Sequence, residues 1–100
     1  MLAHNKQTRW SVAPDWVFHH HVDQTCTAYN PYSGVVLALS EPGAWVLQQL
    51  EQAGLPTETL ELALAKETES PLDDRLRASL EGTLTILFED ARVIALSADS

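Results

Sequence analysis

The chain has 100 residues, 45% of them hydrophobic and 20% charged, with 14 acidic and 6 basic side chains that give a formal net charge of −8. This length and composition predict one globular domain that folds without a stabilising cross-link such as a disulfide, and they exclude a disordered chain. A surface with this negative charge repels phosphate backbones and anionic lipid, so we expect neither nucleic acid nor a membrane as a partner.

Two features bear on the cellular location. Cys26 is the single cysteine, so no disulfide can form within the chain. Residues 1–10 lack the apolar core of a secretory signal, and no apolar run approaches the roughly 20 residues that span a bilayer. We therefore predict a cytoplasmic protein in which Cys26 is a small apolar strand residue and not a reactive thiol.

The first part of the chain has the pattern of short strands. Residues 1–8 are polar and are predicted to be flexible, and residues 10–14 alternate in polarity as an extended lead-in. Three strands are predicted to follow, each rich in β-branched or aromatic residues and bounded by turn signals. They cover residues 16–22, 25–29 and 35–39.

Both connections in this predicted meander contain turn-forming residues. Asp23 and Gln24 are the expected two-residue connection between the first and second strands. Between the second and third strands, Asn30 can accept hydrogen bonds from the backbone that follows it, Pro31 fixes φ, and Gly34 can adopt a positive φ. These signals predict a three-stranded antiparallel sheet whose third strand lies at an edge.

Helical spacing of apolar residues begins after the third strand. The first helix is predicted over residues 41–53, with Ser40 as its N-cap and Gly54 as its stop. The second helix is predicted to have Thr57 as its N-cap and to end near Lys66, because the polar residues that follow interrupt the pattern.

The third helix is predicted to start with Ser70 as its N-cap. Its core-facing stripe repeats at spacings of three and four residues and consists of Leu72, Leu76, Leu80, Leu84 and Leu87. Beside this stripe, Ile86 lies with polar residues on a second edge that the core is not expected to cover.

Strands followed by helices predict an α+β domain over residues 9–96, with the three helices packed on one side of a small three-stranded sheet. Residues 93–96 are predicted to form either a final strand or a segment tucked under the sheet. Residues 97–100 are expected to be frayed.

The arrangement resembles the PqqD-like peptide chaperones, and it is most similar to the branch named for the HPr-rel-A system. The resemblance covers residues 10–96, although family members usually leave the third helix through a Gly-Leu-Ile-like exit where this chain has Ala-Arg-Val-Ile at residues 91–94. The residues that carry it are Trp10, Val12, Pro14, the turn at residues 29–34, Leu37, Leu39, Ser40, Trp45, Val46 and Leu50.

The resemblance implies a winged-helix-like domain of the kind called a RiPP recognition element. Such a domain binds the leader segment of a precursor peptide as an added strand, along the third strand and against the third helix, and presents it to a modifying enzyme encoded nearby. Carried onto this sequence, the peptide-binding residues are Val35, Val36, Leu37, Ala38, Leu39, Arg75, Ser79, Thr83 and Ile86.

The residues themselves also favour an open edge at the third strand. Residues 35–39 contain no charge or proline that would hinder pairing with another chain, and strand addition uses main-chain hydrogen bonds for affinity. Two alternatives remain: the edge is apolar because the domain's own helices and tail bury both faces, or the protein is a structural interaction module that dimerises through this edge without a peptide.

The three consecutive histidines are the most conspicuous polar feature. His19 and His21 are predicted to project from one strand face, about 6 to 7 Å apart. A closed zinc site requires four ligands, and neither Cys26 nor an acidic residue has an evident geometric link to the histidines, so we predict that His19, His20 and His21 are solvated and bind no metal.

Catalysis and DNA binding are both disfavoured. The sequence contains no nucleophile paired with a base, no paired carboxylates in a recognisable motif and no glycine-rich phosphate loop, so we predict no enzyme, no catalytic residues and no cofactor. The predicted second and third helices carry Lys66, Arg75 and Arg77 among a larger number of acidic residues. A winged helix that reads DNA would have the opposite charge.

Overall fold

The computed structural model describes residues 8–96 and has an α+β fold with two small antiparallel sheets and three helices. The elements in chain order are β1 (Arg9–Val12), β2 (Val17–His20), β3 (Cys26–Tyr29), β4 (Val36–Leu39), α1 (Gly43–Gln52), β5 (Leu55–Pro56), α2 (Thr57–Thr68), α3 (Asp74–Thr85) and β6 (Ile94–Leu96). A π-helical turn, Ile86–Asp90, continues α3. The predicted α+β class is confirmed. The prediction contained one sheet, whereas the structure contains two.

The first sheet is the predicted meander, with strand order β2-β3-β4. Ala28 in the central strand lies opposite Phe18 on one side and Leu37 on the other. Ala28 is 0% exposed and Phe18 and Leu37 pack against the core, so this row forms the inner face. The strands are shorter than predicted, and β2 ends at His20 because the chain turns directly after it.

The turn between β3 and β4 has the predicted chemistry. The N–H of Asn30 donates to the carbonyl of Val35 at 2.9 Å, and the N–H of Gly34 donates to the carbonyl of Asn30 at 2.7 Å. Asn30 Oδ1 accepts hydrogen bonds from the N–H groups of Tyr32 and Ser33 at 2.9 and 3.1 Å. Gly34 has φ of 80°, the left-handed conformation for which glycine is suited. The predicted hairpin is confirmed.

The turn between β2 and β3 corrects a prediction. Asp23 and Gln24 do not form a two-residue connection, because the N–H of His21 donates to the carbonyl of Thr25 at 2.9 Å and leaves a loop over residues 22–24. Gln24 has φ of 71° and occupies the left-handed position of this loop. Asp23 Oδ1 accepts hydrogen bonds from the hydroxyl and the N–H of Thr25 at 2.6 and 3.1 Å, which lower the pKa of the Asp23 carboxyl.

A second sheet, with strand order β5-β1-β6, forms from segments that lie far apart in the sequence. The extended lead-in predicted at residues 10–14 forms strand β1 of this sheet. The C-terminal segment, predicted as either a strand or a tucked segment, forms strand β6. Trp10 lies opposite Leu55 and Leu96 and is 0% exposed. Its indole N–H donates to Thr57 Oγ1 at 2.9 Å, and its ring meets that of Phe88 edge to face at 5.3 Å.

Helix α1 begins and ends differently from the prediction. Helix α1 starts at Gly43, and its N-cap is Pro42 and not Ser40. The side chain of Ser40 makes no capping hydrogen bond, but its carbonyl accepts one from the N–H of Ala44 at 3.0 Å. Its C-cap, Ala53, is extended with φ of −172°, so Gly54 does not act as a left-handed stop.

Two further predicted caps are replaced by neighbours. Thr57 is the first residue of α2 and not its N-cap, because its hydroxyl is taken up by Trp10 Nε1 and the carbonyl of Thr8. Helix α2 continues to Thr68, two residues beyond the predicted end at Lys66. Ser70 does not cap α3, whose N-cap is Asp73; the Asp73 carboxylate accepts from the N–H of Leu76 at 3.0 Å.

The core lies between the two sheets and the helices. The predicted leucine stripe of α3 is confirmed for Leu80, Leu84 and Leu87, which are 1%, 0% and 2% exposed, whereas Leu72 and Leu76 near the helix start are only partly buried. Within the part of the chain that is described, no helix is long and apolar enough to cross a membrane. The expectations for residues 1–7 and 97–100 lie outside the described residues.

Candidate functional site

Strand β4 lies at an edge of its sheet, and within residues 8–96 it pairs with β3 alone. The hydrogen bond from Asn30 to Val35 makes these two residues a hydrogen-bonded pair of the ladder. Hydrogen-bonded and non-hydrogen-bonded pairs alternate along an antiparallel ladder. The main-chain N–H and C=O groups of Val36 and Ala38 therefore point away from β3, toward the free edge.

The side chains of β4 alternate between the two faces of the sheet. Leu37 and Leu39 are partly buried against the core, whereas Val36 is 59% exposed and Val35, just before the strand, is 44% exposed. The alternative in which the domain's own helices and tail bury both faces of this strand is therefore wrong for the outer face. The inner face is covered as that alternative expected.

An apolar row crosses the outer face of the sheet. Val17, Tyr29 and Val36 lie directly opposite one another on the three strands and are 57%, 43% and 59% exposed. Sequence reasoning identified Val36 but missed Val17 and Tyr29, although the alternation of side chains along each strand is the signal that would have placed them on this face.

The predicted edge of α3 is also accessible. Arg75 and Ser79 are exposed, and Ile86, at the start of the π-helical turn, is 55% exposed. Thr83 is partly buried, and its hydroxyl donates to the carbonyl of Ser79 at 3.0 Å. A Cβ built on Gly82 would meet nothing within 4 Å, so the surface beside this edge is open.

The start of α1 links β4 to this helix edge. Gly43 lies four residues after Leu39, and a Cβ built on it would be 3.7 Å from Leu87 Cδ2 and 4.0 Å from Thr83 Cγ2. Thr83 is thus the predicted helix residue that lies beside the segment leading out of β4. Within residues 8–96, no hydrogen bond or ion pair joins β4 to Arg75 or Ser79.

Comparisons with known proteins give no relative. No protein-family model, no curated protein and no solved structure matches this chain. The resemblance to PqqD-like chaperones therefore depends on the residues quoted from the sequence and stays a prediction.

The histidines divide between the two faces of β2. The rings of His19 and His21 meet at 4.7 Å between centroids, as expected for residues on one face, and His21 Nε2 lies 2.8 Å from Thr27 Oγ1. His20 lies on the other face, with Nε2 2.5 Å from Glu51 Oε2. The expectation that no acidic residue is linked to these histidines is therefore wrong for His20, because Glu51 comes from α1, far along the sequence.

No cluster of three or more His, Cys, Asp or Glu residues that could hold a metal ion is present among residues 8–96. Cys26, opposite His20 in the ladder, is 1% exposed. Burial, and then the nearby charge of Glu51, raise the pKa of the Cys26 thiol. The thiol is therefore protonated at neutral pH, which agrees with the prediction of a small apolar residue.

Proposed function

We propose that this protein is a non-enzymatic peptide-binding adaptor that captures a segment of another chain as an additional strand beside β4. The observation that carries the proposal is the outward direction of the main-chain groups of Val36 and Ala38 on an edge with no neighbouring strand among residues 8–96. Edge strands of this kind are templates for strand addition, in which main-chain hydrogen bonds give affinity and alternate side chains give specificity.

The main chain alone does not supply enough free energy for a stable complex. Val36 and Ala38 each offer one donor and one acceptor, and about four net hydrogen bonds at about 1 kcal/mol each give about 4 kcal/mol. A micromolar complex requires about 8 kcal/mol. Apolar contacts must contribute the rest, and the exposed side chains of Val35, Val36 and Ile86 are available for them.

The family resemblance gives this proposal its finer form. Under it the domain has a winged-helix-like topology, the bound segment is a precursor or leader-like peptide, and a separate enzyme encoded nearby modifies the peptide. Arg75, Ser79, Thr83 and Ile86 of α3 and its continuation then form the second wall of the peptide site. A cytoplasmic location, which the lone cysteine favours, belongs to the same proposal.

Amide hydrogen exchange with a candidate peptide tests the proposal directly. Short peptides encoded beside the gene supply the candidates, and isothermal titration calorimetry identifies one that binds. Strand addition predicts new protection at the amides of Val36 and Ala38, whose N–H groups point to the free edge, while the amides of Leu37 and Leu39 are protected already in the free protein. Binding without new protection at Val36 and Ala38 contradicts the proposal.

A second candidate function is a homodimer through the same edge, without a peptide. The exposed row of Val17, Tyr29 and Val36 favours it, because contiguous apolar surface on a monomer marks an interaction site. Light scattering after size exclusion over a range of protein concentrations separates the two candidates. A dimer with protected Val36 and Ala38 amides favours the second candidate, and a monomer favours the first.

A further inference from the structure

Two adjoining cavities lie at the end of the β2-β3-β4 sheet where the β2–β3 turn meets the start of α1. Their volumes are about 270 and 360 Å³, and they share four lining residues: Gln24, Glu41, Trp45 and Glu67. Together they form one groove between the β2–β3 turn, the start of α1 and the end of α2, which we call the hairpin–helix groove. Sequence reasoning missed it, because its residues come from three separate segments.

Trp45 supplies an unpartnered polar group to this groove. It is 8% exposed and lines both cavities. The Nε1–H of Trp45 has no hydrogen-bond partner among residues 8–96. Among these residues, the fully buried side-chain atoms that lack a hydrogen bond are Glu61 Oε1 and Arg77 Nε, so solvent reaches the Nε1 atom of Trp45. A largely buried indole N–H normally has an acceptor. The groove is where this N–H can meet one.

The charge of the groove is negative. The carboxylates of Glu41 and Glu67 are exposed, and neither makes a hydrogen bond or ion pair with a residue of the described chain. No lysine or arginine is among the described residues that line either cavity. The end of α2 adds a partial negative charge, and the start of α1 adds a partial positive charge of about half a unit, which two full carboxylate charges outweigh.

We infer that the hairpin–helix groove binds an organic cation that carries an ammonium or guanidinium group. Glu41 and Glu67 accept charge-assisted hydrogen bonds from the cation, the indole of Trp45 provides an aromatic wall, and its N–H donates to a carbonyl oxygen next to the cationic arm. The cavity volumes suit one amino-acid side chain with its flanking amide, near the lower limit for ligand sites. A peptidyl lysine or arginine and a free amine share this chemistry.

This inference is independent of the proposed function at β4. The groove begins at Glu41, two residues after β4, at the end of the sheet, and no residue of the groove belongs to the proposed peptide site. A Val36→Pro variant is therefore expected to bind the cation as the unmodified protein does. Failure of one proposal leaves the other measurable.

Titration of the full ¹⁵N-labelled protein with three acetylated amino-acid methylamides tests the inference. The lysine and arginine compounds are expected to move the Trp45 indole N–H resonance in a saturable way, while the norleucine compound, which has a similar length and no charge, leaves it unmoved. Butylammonium, which lacks the carbonyls, separates the two sources: weaker binding than the lysine compound indicates a peptide side chain, and equal binding indicates a free amine. Both outcomes support a cation site.

Charge-removal variants complete the test. Glu41→Gln together with Glu67→Gln is expected to weaken cation binding by about tenfold, because two exposed ion pairs are lost. Glu58→Gln removes an exposed carboxylate near the start of α2, outside the groove, and is expected to leave binding unchanged. The inference is overturned if neither cation gives a saturable shift, if norleucine binds equally, or if the double variant, with its other resonances in place, binds as tightly as the unmodified protein.

Discussion

Val36 lies directly opposite Tyr29 in the β3–β4 ladder, with both side chains exposed on the outer face and the main chain of Val36 directed to the free edge. Val36→Pro therefore removes an outward N–H without breaking a hydrogen bond to β3, and edge strands tolerate proline in this orientation. We expect the variant to fold normally by circular dichroism and to bind a cognate peptide at least about tenfold more weakly in calorimetry.

Val36→Thr is the matched control for this change. Threonine is β-branched like valine and keeps the main-chain N–H, and water solvates its hydroxyl at this exposed position, so peptide affinity is expected to stay within about threefold of the original. Strand addition is wrong if the proline variant binds as the unmodified protein does. It is also wrong if threonine causes the same loss as proline, since the side chain would then carry the interaction.

Ile86 tests the helix side of the proposed site. It is 55% exposed, and Leu62 on α2 is a matched control because it is an aliphatic helix residue with 57% exposure outside the site. Ile86→Ser is expected to weaken peptide binding by about tenfold through lost apolar burial, without a large change in unfolding free energy. Leu62→Ser is expected to leave affinity unchanged. Equal losses from both changes contradict a specific role for this helix edge.

Local signals explain which parts of the fold the sequence predicts. The turn at residues 30–34 depends on Asn30 and Gly34 within one short segment, and it forms as predicted. The second sheet could not be found in this way, because Trp10 pairs with Leu55 and Leu96. A two-residue strand such as β5 has no periodicity to detect.

The helix starts show how tertiary contacts override a local preference. Thr57 has the chemistry of an N-cap, but its hydroxyl bonds to Trp10 across the second sheet. The sequence predicts Ser70 as the N-cap of α3, but Asp73, three residues later, holds that position and accepts the hydrogen bond of the Leu76 N–H. The two candidate sites differ in the same way. The free edge at residues 35–39 follows from the position of the third strand in the meander, whereas the hairpin–helix groove depends on how separate segments pack.

The bond between Trp10 and Thr57 is expected to contribute strongly to stability. Trp10→Phe removes this hydrogen bond and leaves a cavity beside Phe88, and we expect a loss of about 2 kcal/mol in the free energy of unfolding. Urea titration followed by circular dichroism measures it. Trp16→Phe is the control, because Trp16 is only partly buried, and its loss is expected to be smaller. Equal losses would show that the contacts of Trp10 add nothing specific.

Cys26 gives a prediction about reactivity and alkaline pH. Because the thiol is 1% exposed, iodoacetamide at pH 8 is expected to modify it slowly in the native protein and rapidly in urea. Its pKa is raised from 9.0 on folding, so the unfolded chain loses this proton first as the pH rises. The contribution to stability is complete below pH 9 and declines above it.

Cys26→Ala isolates that contribution from other groups that titrate at alkaline pH. Urea midpoints measured from pH 7 to 10 are expected to fall more steeply for the original protein than for the variant, because only the original has a buried thiol that ionises on unfolding. Parallel midpoints for the two proteins, or native alkylation as fast as that of a free thiol, would mean that the side chain is accessible and that β3 opens readily at its start.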